Sequence, residues 1–132
     1  MNDPMIQEMD SAYAVKESNA DVTRVVQKYF PPGMKMEEAF KLLHLLKDQG
    51  FDVSEWRYEG ARIWPDGELK PYTDEATRRN LQQQYPKGII EYVAEKKYDS
   101  KYLIVTKTAA IGIRTDGKKI IESNGDIHIS GI

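Results

Sequence analysis

Few side chains in this sequence could carry out nucleophilic or acid–base chemistry. Among the 132 residues there are two histidines and no cysteine, which excludes a thiol nucleophile, a disulfide and a cysteine metal site. A catalytic triad needs a base beside a serine and a third group that orients the base. The sequence predicts His44 on the flank of a helix and His128 on the exposed face of a strand, and no G-x-S-x-G turn occurs. We therefore predict no catalytic residues.

Two pairs of neighbouring carboxylates, Glu37-Glu38 and Asp74-Glu75, are the remaining candidates for acid–base catalysis. Both pairs fall in the first turn of a predicted helix, where acidic side chains favour the helix dipole, and that structural role accounts for them. A metal site needs three or four ligands at defined spacings, whereas His44 and Asp48, one helical turn apart, supply two. We predict no metal and no cofactor. A small carboxylate-dependent hydrolase or isomerase is kept as the second alternative to the non-enzymatic function predicted at the end of this subsection.

The least ordinary composition lies in residues 56–67, which contain both tryptophans of the chain. Trp, Tyr and Arg are the residue types that dominate binding hot spots between proteins. The alternative interpretation is that both indole rings close one end of the core. If either ring is exposed, this segment is the predicted partner-binding surface. Its predicted contact residues are Trp56, Tyr58, Arg62, Trp64 and Asp66.

The elements that would position this segment start with an antiparallel meander in residues 87–132. Asp116-Gly117 and Asn124-Gly125 each separate two apolar runs, which predicts two tight hairpin turns. The first turn pairs Ile113 with Ile120. Because side chains alternate along a strand, one face of this sheet collects the isoleucines. These are Ile111, Ile113, Ile120, Ile127 and Ile129. A further hairpin is predicted to join residues 89–98 to residues 102–108.

Helical spacing of apolar residues predicts helices over residues 18–30 and 36–49, and Gly50 is typical of a helix stop. Asp74 and Glu75 predict the start of a third helix. Residues 1–17 are polar without a sustained period and predict a flexible N-terminal arm. The predicted fold class is α+β, a single domain over residues 18–132, with two to three helices packed on one face of a four- to five-stranded antiparallel meander.

Composition limits the classes of partner and the compartment. The net charge is −2, which gives no basic field for nucleic acid. No apolar run is long enough to span a membrane, and no leader peptide is evident. A start at Met1-Asn2-Asp3-Pro4 fits either a native start or one that follows a removed leader. A chain without cysteine fits the bacterial periplasm and the bacterial cytoplasm equally.

Residues 32–40, followed by Leu43, Leu46 and Gly50-Phe51, resemble a helix opening found in small bacterial envelope α/β domains, those of the SmpA/OmlA and β-lactamase-inhibitor-protein type. The resemblance implies two short helices against an antiparallel meander. The chain departs from the pattern at Met36, where a small hydroxyl residue is usual, and in the insertion of residues 55–86. Such domains, and the similarly small immunity proteins of toxins from bacterial secretion systems such as type VI, act by binding other proteins.

These observations together predict a non-enzymatic protein-binding module. Its most concrete form is an inhibitor or immunity protein that occludes a bacterial toxin or enzyme, and the predicted partner is a protein. The first alternative is an envelope assembly or scaffold domain.

Overall fold

The computed structural model describes residues 3–15, 19–99 and 105–131. Within them the chain forms one five-stranded antiparallel sheet and four helices, so the predicted α+β class and antiparallel sheet are confirmed. The strands lie in the order β2-β1-β3-β4-β5. The elements are α1 (Pro4–Val15), α2 (Asn19–Tyr29), α3 (Met36–Asp48), β1 (Asp52–Arg57), β2 (Gly60–Ile63), α4 (Glu75–Gln84), β3 (Ile90–Asp99), β4 (Val105–Thr115) and β5 (Ile120–Gly131).

Strands β3, β4 and β5 form the predicted meander, and its first turn lies where the sequence places it. Gly117 has a φ of 95°, and Asp116 Oδ1 accepts hydrogen bonds from the backbone N–H groups of Lys118 and Lys119. These bonds hold a wider loop than a two-residue turn, and the register shifts beside Thr115. Ile113 therefore faces Ser123, and the predicted pairing of Ile113 with Ile120 is wrong. Residues 100–104, which include the predicted connection between β3 and β4, lie outside the described residues.

Asn124-Gly125, predicted as a second turn, instead lies in the middle of β5. Gly125 is on the face that α2 covers. A Cβ atom at this position would lie 2.5 Å from Val22 Cγ1 and 2.9 Å from Val26 Cγ2. The glycine is needed because the helix lies directly on the strand backbone, and the prediction of a turn here is wrong.

The segment predicted as a flexible arm contains α1. This helix makes polar contacts with two other elements. Glu8 accepts hydrogen bonds from Lys28 and Tyr29 on α2. Asp10 accepts a hydrogen bond from Tyr98 on β3 at 2.9 Å. The prediction of a loose arm is therefore wrong over α1. Apolar residues recur along this helix with helical spacing, and they are buried on one side of it. The buried residues on that side are Met5, Ile6, Met9, Ala12 and Tyr13.

Helix α3 occupies the predicted residues and ends as predicted. Gly50 has a φ of 95°, its N–H donates to Lys47 O at 3.1 Å, and the N–H of Phe51 donates to Leu46 O at 3.0 Å. This pair of bonds is the Schellman arrangement, which satisfies the carbonyls at the helix end. Phe40 on the same helix lies against the edge of the sheet where the candidate site is found.

The free edge of β5 is covered by side chains of α2. Thr23 Oγ1 accepts from the N–H of Gly125 at 3.1 Å and donates to its carbonyl at 3.0 Å. One helical turn later, Gln27 Nε2 donates to Ser123 O at 3.1 Å. Unpaired edge strands invite pairing with other chains, and these bonds satisfy the exposed backbone groups at this part of the edge.

Candidate binding site

Residues 56–67 contain the end of β1, all of β2 and the start of the loop that follows, at the other edge of the sheet. The register pairs Ser54 with Ile63, Glu55 with Arg62 and Trp56 with Ala61. Because side chains alternate along a strand, the β1–β2 hairpin has two chemically different sides. The side that faces α3 carries Glu55 and Arg62, and the opposite side carries Trp56 and Ile63.

Trp64 lies on the side that faces α3 and belongs to the core. Its side chain is 4% exposed, and its ring packs on Phe40 at 5.6 Å, on Tyr92 at 6.1 Å and on His44 at 4.5 Å between centroids. A ring enclosed in this way closes the end of the core, which is the alternative interpretation given above for the tryptophans. The contact with Trp64 also accounts for the position of His44 on the flank of α3.

Beside Trp64, a buried carboxylate holds the two strands together. Glu55 is 1% exposed. Arg62 donates from Nε to Oε2 at 3.0 Å and from Nη2 to Oε1 at 3.1 Å, the bidentate geometry that suits a guanidinium and a carboxylate. Arg57 Nη2 lies 2.9 Å from Oε2. Tyr92, which pairs with Glu55 across β1 and β3, has a hydroxyl that interacts electrostatically with this carboxylate. Glu55 is thus fully paired.

The environment keeps Glu55 ionised and Tyr92 protonated. Burial acts to raise the pKa of Glu55, but hydrogen bonds from Arg62 and Tyr92 and the charges of the two arginines outweigh it, so the pKa lies below its ordinary value. Burial raises the pKa of Tyr92 far above its usual range, and the charge of Glu55 adds to the effect. The opposite pKa shifts keep the negative charge on Glu55, beside the two guanidinium groups, and not on Tyr92.

The opposite side of the hairpin presents an aromatic cluster. Trp56 is half-buried, and its ring lies 6.4 Å from that of Tyr72 at an interplanar angle of 15°. The ring of Tyr85, which follows α4, lies 6.4 Å from Trp56 on the same side. The indole Nε1 donates to Ser54 Oγ at 2.8 Å. The polar atom of Trp56 is therefore satisfied within the chain, while part of its apolar surface stays accessible.

These aromatic residues form part of an open cleft of about 500 Å³, named here the hairpin cleft. Its most exposed apolar member is Ile63, whose residue surface is 69% accessible. The lining residues are Ser54, Trp56, Ala61, Arg62, Ile63, Gly67, Glu68, Lys70 and Tyr72.

Backbone and tyrosine contacts fix the far wall of the hairpin cleft. Ala61 and Lys70 exchange two backbone hydrogen bonds, at 3.0 Å and 2.9 Å. The single hydroxyl proton of Tyr72 is shared between the carbonyl oxygens of Arg57, 2.7 Å from Oη, and Gly60, 3.0 Å from Oη. The loop that follows β2 is therefore tied to the hairpin by hydrogen bonds within the chain.

The five predicted contact residues are divided between different places. Trp56 and Arg62 line the hairpin cleft. Tyr58 is half-buried with Lys87 Nζ 5.3 Å from its ring centroid, Asp66 is exposed on the following loop, and Trp64 is in the core. The structure therefore does not bring all five together.

Sequence reasoning missed three residues that build this site: Glu55, Ile63 and Tyr72. A signal for Ile63 was present, because it directly precedes Trp64 at the end of a strand. If Trp64 points into the core, Ile63 must point away from it. Glu55 and Tyr72 carried no comparable local signal.

The described residues also line clefts outside this one, of which two are relevant here. A cleft of about 300 Å³, the arginine pocket, adjoins the hairpin on its α3 side. Another of about 680 Å³ lies where α3 begins, beside Lys35, Lys118 and Lys119. Each of these three clefts has one carboxylate residue in its lining.

In residues 3–15, 19–99 and 105–131, no group of three or more His, Cys, Asp or Glu side chains is placed to hold a metal ion. None of the four helices in this part is long and apolar enough to cross a membrane.

Comparison of the chain with models of known protein families, with curated proteins and with solved structures finds no match.

Proposed function

We propose that this chain is a non-enzymatic protein-binding module and that it binds its partner through the hairpin cleft. The observation that carries the proposal is the 69% exposure of Ile63 beside the half-buried ring of Trp56 and the ring of Tyr72. Ile63 adjoins aromatic surface in one cleft, and a contiguous apolar patch of this kind is typical of an interaction site, whereas a single exposed apolar side chain is not. Aromatic side chains in a cleft are typical of the centre of a protein interface.

The hydrogen bonds that hold the far wall of the cleft support an inhibitor or immunity protein as the specific form of this module. Association costs free energy when loops and side chains must become ordered. Here Tyr72 and the Ala61–Lys70 backbone bonds fix the far wall in the free chain. A preformed surface of this kind suits tight occlusion of a folded toxin or enzyme, because little conformational freedom remains to be lost on binding.

Capture from a lysate of the source organism, with quantitative mass spectrometry, tests the proposal. The bait is the tagged full chain, compared with Ile63→Asp and with Ile129→Asp as the matched control. Ile129 is also exposed, at 58%, and lies on β5 at the opposite edge of the sheet.

We expect one stoichiometric partner that Ile63→Asp loses and Ile129→Asp retains. The purified partner should be a toxin or enzyme whose activity falls when the wild-type chain is added. Equal capture by both variants would refute the hairpin cleft as the binding surface. A partner without an activity to inhibit, drawn from envelope assembly proteins, would favour the scaffold alternative.

A further inference from the structure

The arginine pocket lies on the side of the hairpin opposite to the hairpin cleft. Its lining residues are Glu55, Arg57, Arg62, Gly67 and Leu69. Arg62 and Gly67 also line the hairpin cleft, so the two cavities adjoin the same loop after β2. A protein that covers the hairpin cleft and this loop would therefore also reach the arginine pocket.

The two arginines of this pocket differ in how many guanidinium nitrogens already donate hydrogen bonds within the chain. Arg62 uses all three of its nitrogens: Nε and Nη2 donate to Glu55, and Nη1 donates to Pro65 O at 2.8 Å. Arg57 directs Nε and Nη2 at Glu55 Oε2. Among the described residues, no hydrogen bond or ion pair uses Arg57 Nη1. Its side chain is 32% exposed. Arg57 is thus held in place on one side and has donor capacity on the other.

The charges in the pocket favour an anion. Two guanidinium groups face the single carboxylate of Glu55, which is already fully paired. The charge of Asp66 also acts on Arg62, but Asp66 is exposed to solvent and does not line the pocket. Solvent and salt screen an exposed charge more than a partly buried one. An excess of positive charge is therefore left at Arg57.

We propose that Arg57 is a second anchor of the interface and that it binds an aspartate or glutamate side chain of the protein partner. The inference rests on the proposed function, since it assumes that the partner is a protein. A guanidinium matches a carboxylate through parallel N–H···O bonds, and Glu55 has already fixed the orientation of this one. The partner surface then combines an apolar side chain for the hairpin cleft with a carboxylate for the arginine pocket.

An NMR titration of the ¹⁵N-labelled full chain with sodium acetate tests the pocket without a partner. We expect the Nε–Hε signal of Arg57 to shift in a saturable way, while that of Arg79, an exposed arginine on α4, does not. The Arg57→Lys variant, which keeps the charge but not the planar fork, identifies the signal by its loss. A shift of Arg57 no larger than that of Arg79 would overturn the proposal. Tighter binding of phosphate than of acetate at equal ionic strength would also overturn it, because the occupant would not be a carboxylate.

Panning a random peptide library displayed on phage separates this inference from the proposed function. We expect wild-type chain to enrich peptides that pair an apolar with an acidic residue, and Arg57→Gln to lose the acidic preference while it keeps the apolar one. Enriched peptides should bind Arg57→Gln about tenfold or more weakly than they bind wild type, as for other hydrogen bonds to charged groups.

Two outcomes would refute the role of Arg57 without affecting the proposal for the hairpin cleft. One is an acidic preference that Arg57→Gln retains, and the other is enrichment by wild type of apolar peptides that lack an acidic residue. If the wild-type chain enriches peptides without an apolar preference, the hairpin cleft is refuted as a binding surface. The acetate titration then still tests whether the arginine pocket binds a carboxylate. Thermal unfolding of Arg57→Gln and Arg57→Lys establishes that both variants are folded.

Discussion

Glu55→Gln is expected to lower the free energy of unfolding by roughly 3 kcal/mol, because it leaves two guanidinium groups without their anionic partner. The Glu55 side chain is 2% exposed, and its carboxylate accepts hydrogen bonds from Arg57 and Arg62. Loss of one partner from a buried ion pair costs about 3–5 kcal/mol. The lower end applies here, since Arg57 and Arg62 remain 32% and 28% exposed and can recruit water.

Urea unfolding monitored by circular dichroism and by tryptophan fluorescence measures this loss. The matched control is Glu122→Gln, which removes an exposed carboxylate 3.6 Å from Arg114. Exposed ion pairs contribute about 0–1 kcal/mol, so the control should be nearly silent. The two substitutions make the same chemical change at a buried and at an exposed site. If Glu55→Gln costs less than about 1 kcal/mol, comparable with the control, the argument that this carboxylate holds the hairpin is refuted.

A double-mutant cycle locates the effect in the Glu55–Arg62 pair. Arg62→Gln alone should also destabilise the chain, because it leaves Glu55 buried with one guanidinium fewer. The double variant Glu55→Gln/Arg62→Gln should lose less than the sum of the single losses, with an interaction free energy of about 1–3 kcal/mol. Strictly additive losses would mean that the two side chains stabilise the hairpin independently of each other.

Three further outcomes follow from the same structure. The pKa of Glu55 is depressed in the folded chain, so its contribution is present above the ordinary value of 4.5 and is lost as the pH falls through the folded pKa. The stability gap between wild type and Glu55→Gln should therefore narrow in urea titrations below that value, and a constant gap would contradict the assignment. Gly125→Ala should cost about 1–3 kcal/mol in the same assay, because its Cβ would lie 2.5 Å from Val22 Cγ1. Adding Val22→Ala should return part of that loss, and strictly additive costs would refute the packing argument. Thr23→Val should cost about 1–2 kcal/mol, because it removes both hydrogen bonds to Gly125, and size-exclusion chromatography should show association through the uncovered edge of β5. A stable monomer would count against this role of Thr23.

Local signals predicted the parts of the fold that local chemistry determines. The loop at Asp116-Gly117 and the helix end at Gly50 lie where expected, because a positive φ and a few backbone bonds define both. Asn124-Gly125 carried the same kind of signal and lies inside a strand. There the glycine is required by the approach of α2, a contact between residues about a hundred positions apart that no local pattern displays.

The sequence predicted which segment holds the candidate site, but it did not predict which side chains of the segment are buried and which are exposed. Residues 56–67 were singled out by composition, and they form part of the hairpin at the edge of the sheet. Which tryptophan ring is buried depended on strand register and on the turn after β2. The register places Trp56 and Ile63 on the side opposite to α3, and Trp64, which directly follows β2, lies in the core. Helix α1 was missed although its apolar residues recur with helical spacing, because the two sides of the helix differ little in hydrophobicity. Its burial depends on tertiary contacts with α2 and β3.

Isothermal titration calorimetry of the captured partner tests protein binding through the hairpin cleft most directly. The comparison is between wild type, Ile63→Ala and Ile129→Ala. Truncation of an isoleucine that becomes buried at an interface loses roughly 1.5 kcal/mol. The account predicts that Kd rises about tenfold for Ile63→Ala and stays unchanged for Ile129→Ala. An unchanged Kd for Ile63→Ala, or an equal rise for both variants, would contradict it.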